Sequence, residues 1–232
     1  MRIDIITGFP DILSVPLNAS MIGKGVKKGA VSFQVHNLRD FTHDLHRTID
    51  DYPYGGGPGM VLKLEPIVEC LQAIDRDAPL QDADILLPTP QGVPFVQAHA
   101  TELSLKSHLV FICGHYKGID ERIYDLYPVR EFSIGDYILS AGEIAALVVI
   151  DSIVRLLPGV LKDIESAWTD SFSEELLDAP YYTRPEECMG LNVPAVLLSG
   201  NHKEIIAWKE KKRIERTKQK RPDLYQKYLK TQ

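Results

Sequence analysis

The stretch Ser133-Ile-Gly-Asp-Tyr-Ile-Leu-Ser-Ala-Gly-Glu143 mixes apolar Ile134, Tyr137, Ile138 and Leu139 with small Gly135, Ser140, Ala141 and Gly142, and carries the acids Asp136 and Glu143. Small side chains leave backbone amides and carbonyls open, so the chemistry such a stretch offers is ligand binding by main chain. A second candidate is Tyr54-Gly-Gly-Gly-Pro-Gly-Met60, which closes a polar segment running from Asn37. Its glycines favour positive φ and close backbone approach. It is not a phosphate-binding P-loop, because no Gly-Lys-Ser/Thr follows, and it is not a dinucleotide fingerprint, because no strand leads directly into it. It is either a flexible surface loop or an ordered loop facing a ligand or an interface. Two charges also stand out. Arg155 lies near the end of a very apolar segment, with Asp151 one turn before it as a simple partner. Asp170 precedes Ser171-Phe172, and Glu174 makes a helix N-cap the simple account of it.

The elements that must position these residues alternate. Residues 2–7, 31–36, 84–87, 109–113 and 129–133 read as strands, and Leu109-Val-Phe-Ile-Cys113 is an unbroken apolar run of the kind buried on both faces of a sheet. Helical spacing appears over 11–17, 20–28, 65–78, 97–106, 119–126 and 143–157, the last stopping at Pro158-Gly159. Alternating strands and helices predict an α/β fold with a mostly parallel sheet. Ligands in such sheets bind at the carboxyl ends of the strands. Three loops leave strands in that way, at 88–92, 113–118 and 133–142, so one pocket is expected at their junction. After Gly159 the pattern turns polar and irregular. A basic helix over 202–220 and a short one over 223–229 suggest a small helical C-terminal domain. The expected boundaries are a first domain at 1–160, a linker at 161–172 and a helical domain at 173–232.

Charge sharpens this division. The chain of 232 residues carries a net charge of −6, yet from Asn201 onward there are 11 Lys/Arg against 4 Asp/Glu. Such asymmetry suggests either a solvated helix or a basic tail that meets a polyanion. Three scattered cysteines, Cys70, Cys113 and Cys188, argue against a disulfide framework or a zinc knuckle and favour a reducing compartment. The N-terminus reads as a strand rather than a signal peptide, and the longest apolar run, Ile144 to Ile150, is too short to span a bilayer. A soluble, cytoplasmic protein is expected.

Six motifs then occur in register: Gly55-Gly-Gly-Pro-Gly-Met60, Cys113-Gly-His-Tyr-Lys-Gly-Ile-Asp-Glu-Arg122, Ser133 to Glu143, Asp170-Ser-Phe172, Tyr182-Thr-Arg-Pro185 and Leu198-Ser-Gly-Asn-His202. Together they resemble the bacterial tRNA (guanine-N1)-methyltransferases, over nearly the whole chain. The resemblance implies a SPOUT methyltransferase domain in which the three loops form a trefoil knot around S-adenosylmethionine, an obligate homodimer with active sites across its interface, and a helical C-terminal domain that binds tRNA. The reaction implied is methylation of N1 of guanosine 37, beside the anticodon.

Carried over residue by residue, the resemblance makes Asp170 the general base and Arg155 the cation that stabilises charge on the guanine oxygen. It assigns the cofactor to Pro90, Gly114, Tyr116, Ile134, Gly135, Asp136, Tyr137, Ile138, Leu139 and Ala141, with main-chain groups reading the adenine. It assigns tRNA contacts to Arg184, His202, Lys209, Lys212, Arg213 and Arg216, and suggests a Mg²⁺ site at Asp170 and Asp178. Two positions depart from the family pattern. Lys117 stands where an acid linked to the target guanine or a metal is often found, and a charged lysine binds no metal. Ala141 stands where glycine is expected, and its methyl group narrows the pocket. Two other functions are the alternatives, a knotted methyltransferase acting on another RNA or on a ribose hydroxyl and a catalytically silent RNA-binding protein. The second is disfavoured by the intact Asp170 and cofactor-loop motifs.

Overall fold

In the computed structural model, which describes residues 1–162, 170–172 and 174–231, apolar runs become strands and spaced apolar residues become helices in the order the sequence suggests. The first unit runs β1 (Arg2–Thr7), α1 (Asp11–Ser14), α2 (Ser20–Lys27), β2 (Ser32–Asn37), β3 (Asp50–Asp51), β4 (Val61–Leu62), α3 (Leu64–Asp77), β5 (Ala83–Pro94), α4 (Gln97–Ser104), β6 (His108–Ile112), α5 (Ile123–Leu126), β7 (Val129–Ser133) and α6 (Gly142–Val154). The sheet order is β2-β1-β6-β5-β7, and every pairing in it is parallel. β3 and β4 form a separate antiparallel pair. The chain divides into two compact units, Met1–Lys162 and Asp163–Gln232. Most of the expected linker, 163–169, lies outside the described residues, as does Ser173.

Side chains alternate across the sheet, which separates two cores. Ile3 and Ile5 of β1 with Leu109 and Phe111 of β6 pack against Ala146, Val149, Ile150 and Ile153 of α6. Ile6, Val110 and Ile112 face the other way, onto Ile67, Leu71 and Ile74 of α3. All five residues of β6 are buried, as its unbroken apolar run requires.

Three elements differ from expectation. β5 does not end at Leu87 but continues to Pro94, with a register shift against β7 between Pro88 and Val93. Pro88 and Pro90 lack an amide proton and read as a strand end. The chain bulges around them and then re-pairs, with Val93 opposite Phe132. α5 begins only at Ile123, because Ile119 bridges Leu62 and Asp120 N donates to Leu62 O at 3.1 Å. α6 ends at Val154, and the chain tightens to Leu157 through Leu156 N to Ile153 O and Leu157 N to Val154 O, at 3.0 and 3.1 Å. Bonds of this shorter span satisfy carbonyls at a helix end before a proline.

The second unit holds a two-stranded hairpin, β8 (Glu187–Cys188) and β9 (Leu191–Asn192), followed by α7 (Ala195–Leu198), α8 (His202–Lys220) and α9 (Pro222–Thr231). Asn201 caps α8, its side chain accepting from Glu204 N. Buried Thr217 accepts from Leu177 N at 2.8 Å and donates to Arg213 O at 2.7 Å, which ties the segment before the hairpin to this helix. Among the described residues no helix is long and apolar enough to cross a membrane.

A charge cluster locks the amino-terminal edge of the sheet. Asp4 is fully buried. It accepts from Arg2 Nε at 2.7 Å and lies 2.6 Å from His36 Nε2 and 2.8 Å from His108 Nε2, so one carboxylate joins β1, β2 and β6. Burial alone would raise its carboxyl, but the bonds from His36, Arg2 and His108 outweigh burial and hold it well below the usual carboxylate range. A depressed native carboxyl adds stability above its unfolded value, and that stability is lost as pH falls. Asp4→Asn is therefore expected to cost about 3 kcal/mol near neutral pH, roughly 6–12 °C in Tm. In thermal melts against pH, the gap between wild type and variant should shrink steadily below about pH 4.

Candidate functional site

The carboxyl ends of β6, β5 and β7 lie side by side in the sheet, so the segments leaving them meet. Between them is a cavity of about 460 Å³, walled by Leu87 to Gln91, by Gly114 to Ile119, and by Phe132 to Ala145 with gaps at Asp136, Glu143 and Ile144. The meeting is backbone on backbone. Gly142 N donates to Gly114 O at 2.8 Å, and His115 bridges Ala141. A Cβ on Gly142 would lie 2.8 Å from Gly114 N and 3.1 Å from Cys113 Cα, so a glycine there is a steric requirement.

The outer wall is stiffened locally. Ser133 Oγ accepts from Gly135 N and donates to Gly135 O, both at 3.2 Å. Tyr137 folds back so that its hydroxyl donates to Ile134 O at 3.1 Å. Gly135 has φ of +147°, and a Cβ on it would meet the Tyr137 ring at 2.5 Å. Tyr116 takes φ of +57°, a left-handed conformation that costs a non-glycine residue about 1 kcal/mol or more. Its phenol is raised by burial and by Asp50, so it stays neutral and can donate a hydrogen bond.

The glycine-rich loop is held against the same wall. β3 and β4 close it at its base, and Gly55, Gly56, Gly57 and Gly59 all have positive φ. Lys117 N donates to Met60 O and Leu62 N to Gly118 O, each at 3.0 Å. The Lys117 side chain crosses Gly59, where a Cβ would sit 3.0 Å from Lys117 Cγ. Lys117 is also one of the residues that line the cavity.

Of the cofactor residues expected from sequence, Pro90, Gly114, Tyr116, Ile134, Gly135, Tyr137, Ile138, Leu139 and Ala141 line this one cavity. Asp136 does not; it is exposed. Thr89, Gln91 and His115, in loops expected at the pocket but not named individually, also line it, and so do Tyr124 and Phe132, which sequence reasoning missed. Tyr124 and Phe132 sit inside regular elements, where an aromatic reads as core.

The expected catalytic residues fall in different units. Arg155 is the half-buried C-cap of α6, and Asp170 is half-buried in the second unit. The N-cap alternative for Asp170 finds turns rather than a helix among described residues 171–176. Nearby, Asp178 Oδ1 accepts from Ala179 N and Oδ2 from the Tyr181 hydroxyl, both at 2.6 Å. The Asp178 bond and burial push the Tyr181 phenol up to about 12. Both Asp178 oxygens thus already serve the chain's own donors. No group of three metal-ligating side chains forms among the described residues. These residues do not build a Mg²⁺ cage.

The basic residues of α8 are unequal. Lys209 is exposed, its amine 5.8 Å above the Tyr181 ring. Lys212 pairs with Glu215 at 2.7 Å. Arg213, with 15% of its side chain exposed, pairs with Glu174 and Glu210. Arg216 donates to Asp178 O at 3.2 Å. Arg184, before a cis Pro185, and His202, at the start of α8, are exposed.

A family described as tRNA (Guanine-1)-methyltransferase TrmD matches residues 1–227. The chain belongs to the tRNA (guanine-1)-methyltransferase family. Proteins named tRNA (guanine-N(1)-)-methyltransferase from Geobacter metallireducens, Carboxydothermus hydrogenoformans and Brevibacillus brevis are similar to it at 49%, 52% and 51% identity. These matches cover 98%, 97% and 98% of this chain and 92%, 87% and 92% of the relatives. Membership of a methyltransferase family implies a methyl donor among its ligands.

Gly142→Ala tests the backbone contact at the cavity floor. Its methyl group has only rigid main chain to push against, so the expected cost is about 1–3 kcal/mol. A crystal structure of the variant should show the Gly142 N to Gly114 O separation opened beyond about 3.5 Å. An unchanged separation and Tm would contradict the reading.

Proposed function

We propose that this protein transfers a methyl group from S-adenosylmethionine to N1 of a guanosine in tRNA, and that the guanosine is position 37, beside the anticodon. The observation that carries the reading is the cavity where the ends of β5, β6 and β7 meet, in a chain of this family. Its wall combines apolar side chains with main-chain donors and acceptors, suited to an adenine ring and a sulfonium ligand.

S-adenosylmethionine, when bound, supplies an electrophilic methyl carbon on a positively charged sulfur. The protein must align that carbon with N1 and make N1 nucleophilic. Alignment is mostly a matter of positioning, for which a stiff main-chain wall is well suited. At neutral pH N1 carries a proton. In this reading Asp170 takes it as general base, and the freed pair on N1 forms the new N–C bond as the S–C bond breaks and its electrons stay on sulfur. Arg155 offsets the negative charge that moves onto the guanine O6 as the proton leaves.

Phosphate contacts fall best to residues with free charge. Lys209 and Arg184 fit that role, His202 offers a ring N–H at the start of α8, and Lys212, Arg213 and Arg216 shape the surface through their pairs. The affinity they supply is salt-dependent. The same reading carries a homodimer with the active site across its interface, a trefoil knot made by the three cavity loops, and a cytoplasmic location, where the tRNA is. It rests for these on the family resemblance.

The test is methylation of tRNA transcripts with S-adenosylmethionine, with the modified base mapped by mass spectrometry. Wild type should yield 1-methylguanosine at position 37. Asp170→Asn should lower kcat on the order of 10²–10⁴-fold with little change in S-adenosylmethionine binding. A fully active Asp170→Asn enzyme would remove Asp170 as the base; no methylation of guanosine would remove the function.

A further inference from the structure

Behind the cavity wall, three elements converge on one side chain that the chemistry above does not use. Glu143 is the second residue of α6 and is fully buried. Its Oε1 accepts from the hydroxyl of Thr7 at the end of β1, and Thr7 Oγ1 itself accepts from Phe9 N at 2.8 Å. Its Oε2 faces His115 Nε2 at 3.8 Å. That distance suits an ion pair but is about 0.8 Å too long for a hydrogen bond. Accordingly both atoms are buried without a hydrogen-bond partner.

His115 belongs to the cavity wall. Its ring stacks on Phe9 with centroids 4.3 Å apart and planes 30° from parallel, and the Tyr116 ring packs against it at 5.2 Å. The imidazole is therefore confined between Phe9, Tyr116 and Glu143. Leaving a buried carboxylate oxygen and a buried ring nitrogen unpaired costs several kcal/mol. Among the described residues no other basic group lies within ion-pair distance of Glu143. The neighbouring Cys113 thiol is pushed well up by burial and by Glu143, so it remains a neutral thiol. Glu143 has one place to find its missing donor, and that place is the cofactor wall.

We propose that Glu143 is a positioning residue for that wall, and that filling the cavity closes the 3.8 Å gap into a direct hydrogen bond from His115. Through His115 it fixes the segment 113–118, whose main chain forms the cavity floor. Through Thr7 it ties that segment and the start of α6 to β1. The donor on His115 is an Nε2–H, so the ring is either the Nε2–H tautomer or the imidazolium.

This inference rests on the reading that the cavity takes S-adenosylmethionine. The test measures S-adenosylmethionine binding by calorimetry, and KM and kcat with tRNA, for wild type, Glu143→Gln, Glu143→Leu and Thr7→Val. Glutamine keeps an acceptor for Thr7 and turns an amide N–H toward His115, whose Nε2 can accept it in the Nδ1–H tautomer, so it should bind within about 3-fold of wild type. Leucine removes both contacts and should weaken binding on the order of 10-fold, the size of one lost buried hydrogen bond. That loss should appear as KM for S-adenosylmethionine, with kcat and KM for tRNA changed less than about 3-fold. Thr7→Val, which keeps the shape of Thr7 and leaves Glu143 ionisable, should weaken binding several-fold and decides the matter if the leucine variant fails to fold. A crystal structure of the wild-type complex should place Nε2 within about 3.2 Å of Oε2. Equal binding by Glu143→Leu or, if that variant does not fold, by Thr7→Val, a glutamine variant as weak as leucine, or an unclosed gap in the complex overturns the inference alone. A wild type that binds no S-adenosylmethionine overturns both this inference and the reading beneath it.

Discussion

The first unit depends on one contact, the main chain of Gly142 against the main chain of Gly114. It is a single hydrogen bond of 2.8 Å with no space for a side chain between the partners. Because it joins the segments that leave β6 and β7, it fixes the floor of the cavity and the starting point of α6 together. Gly142 begins that helix, Glu143 is its next residue, and Arg155 ends it. The placing of one buried carboxylate and one arginine thus follows from a glycine contact at the far end of the same rigid rod.

The two edges of the sheet divide the electrostatic work. At the amino-terminal edge, Asp4 gathers Arg2, His36 and His108 into a satisfied cluster. At the carboxyl edge, Glu143 and His115 leave a contact unmade. A fully paired cluster gains nothing from a ligand, while an incomplete one does. The paired edge serves folding, and the incomplete edge is where binding can change the structure.

What the sequence made legible was what local chemistry decides. The apolar run of β6 and the helical spacing of α3 and α8 could be read directly. So could the three loops that wall the cavity, because Gly, Pro and small residues after buried strands leave main chain open; the nine individual cofactor residues among them came from the family resemblance. The extension of β5 past Pro88 was not legible, since its re-pairing through Val93 depends on β7, some forty residues later. The late start of α5 was hidden for the same reason, its first turn being replaced by contacts to Leu62. Thr7 and Glu143 lie 136 positions apart, and neither residue type announces the other. The basic tail was legible as charge, but not that Arg213 would be tied to Glu174 and Glu210.

Lys117 lying across Gly59 has a consequence for how the two halves of the first unit evolve. Besides their main-chain bonds, the glycine-rich loop and the cavity wall touch through a long, flexible aliphatic stem. A lysine stem can be lengthened, shortened or re-aimed by substitution while the main-chain bonds beside it, Lys117 N to Met60 O and Leu62 N to Gly118 O, keep the loops in register. Position 117 is therefore a tuning point, where charge at the cavity can be exchanged among relatives without redrawing the backbone. The main-chain wall opposite offers no such freedom. A competitor of the methyl donor that bonded only to that wall would meet few side chains whose replacement could exclude it.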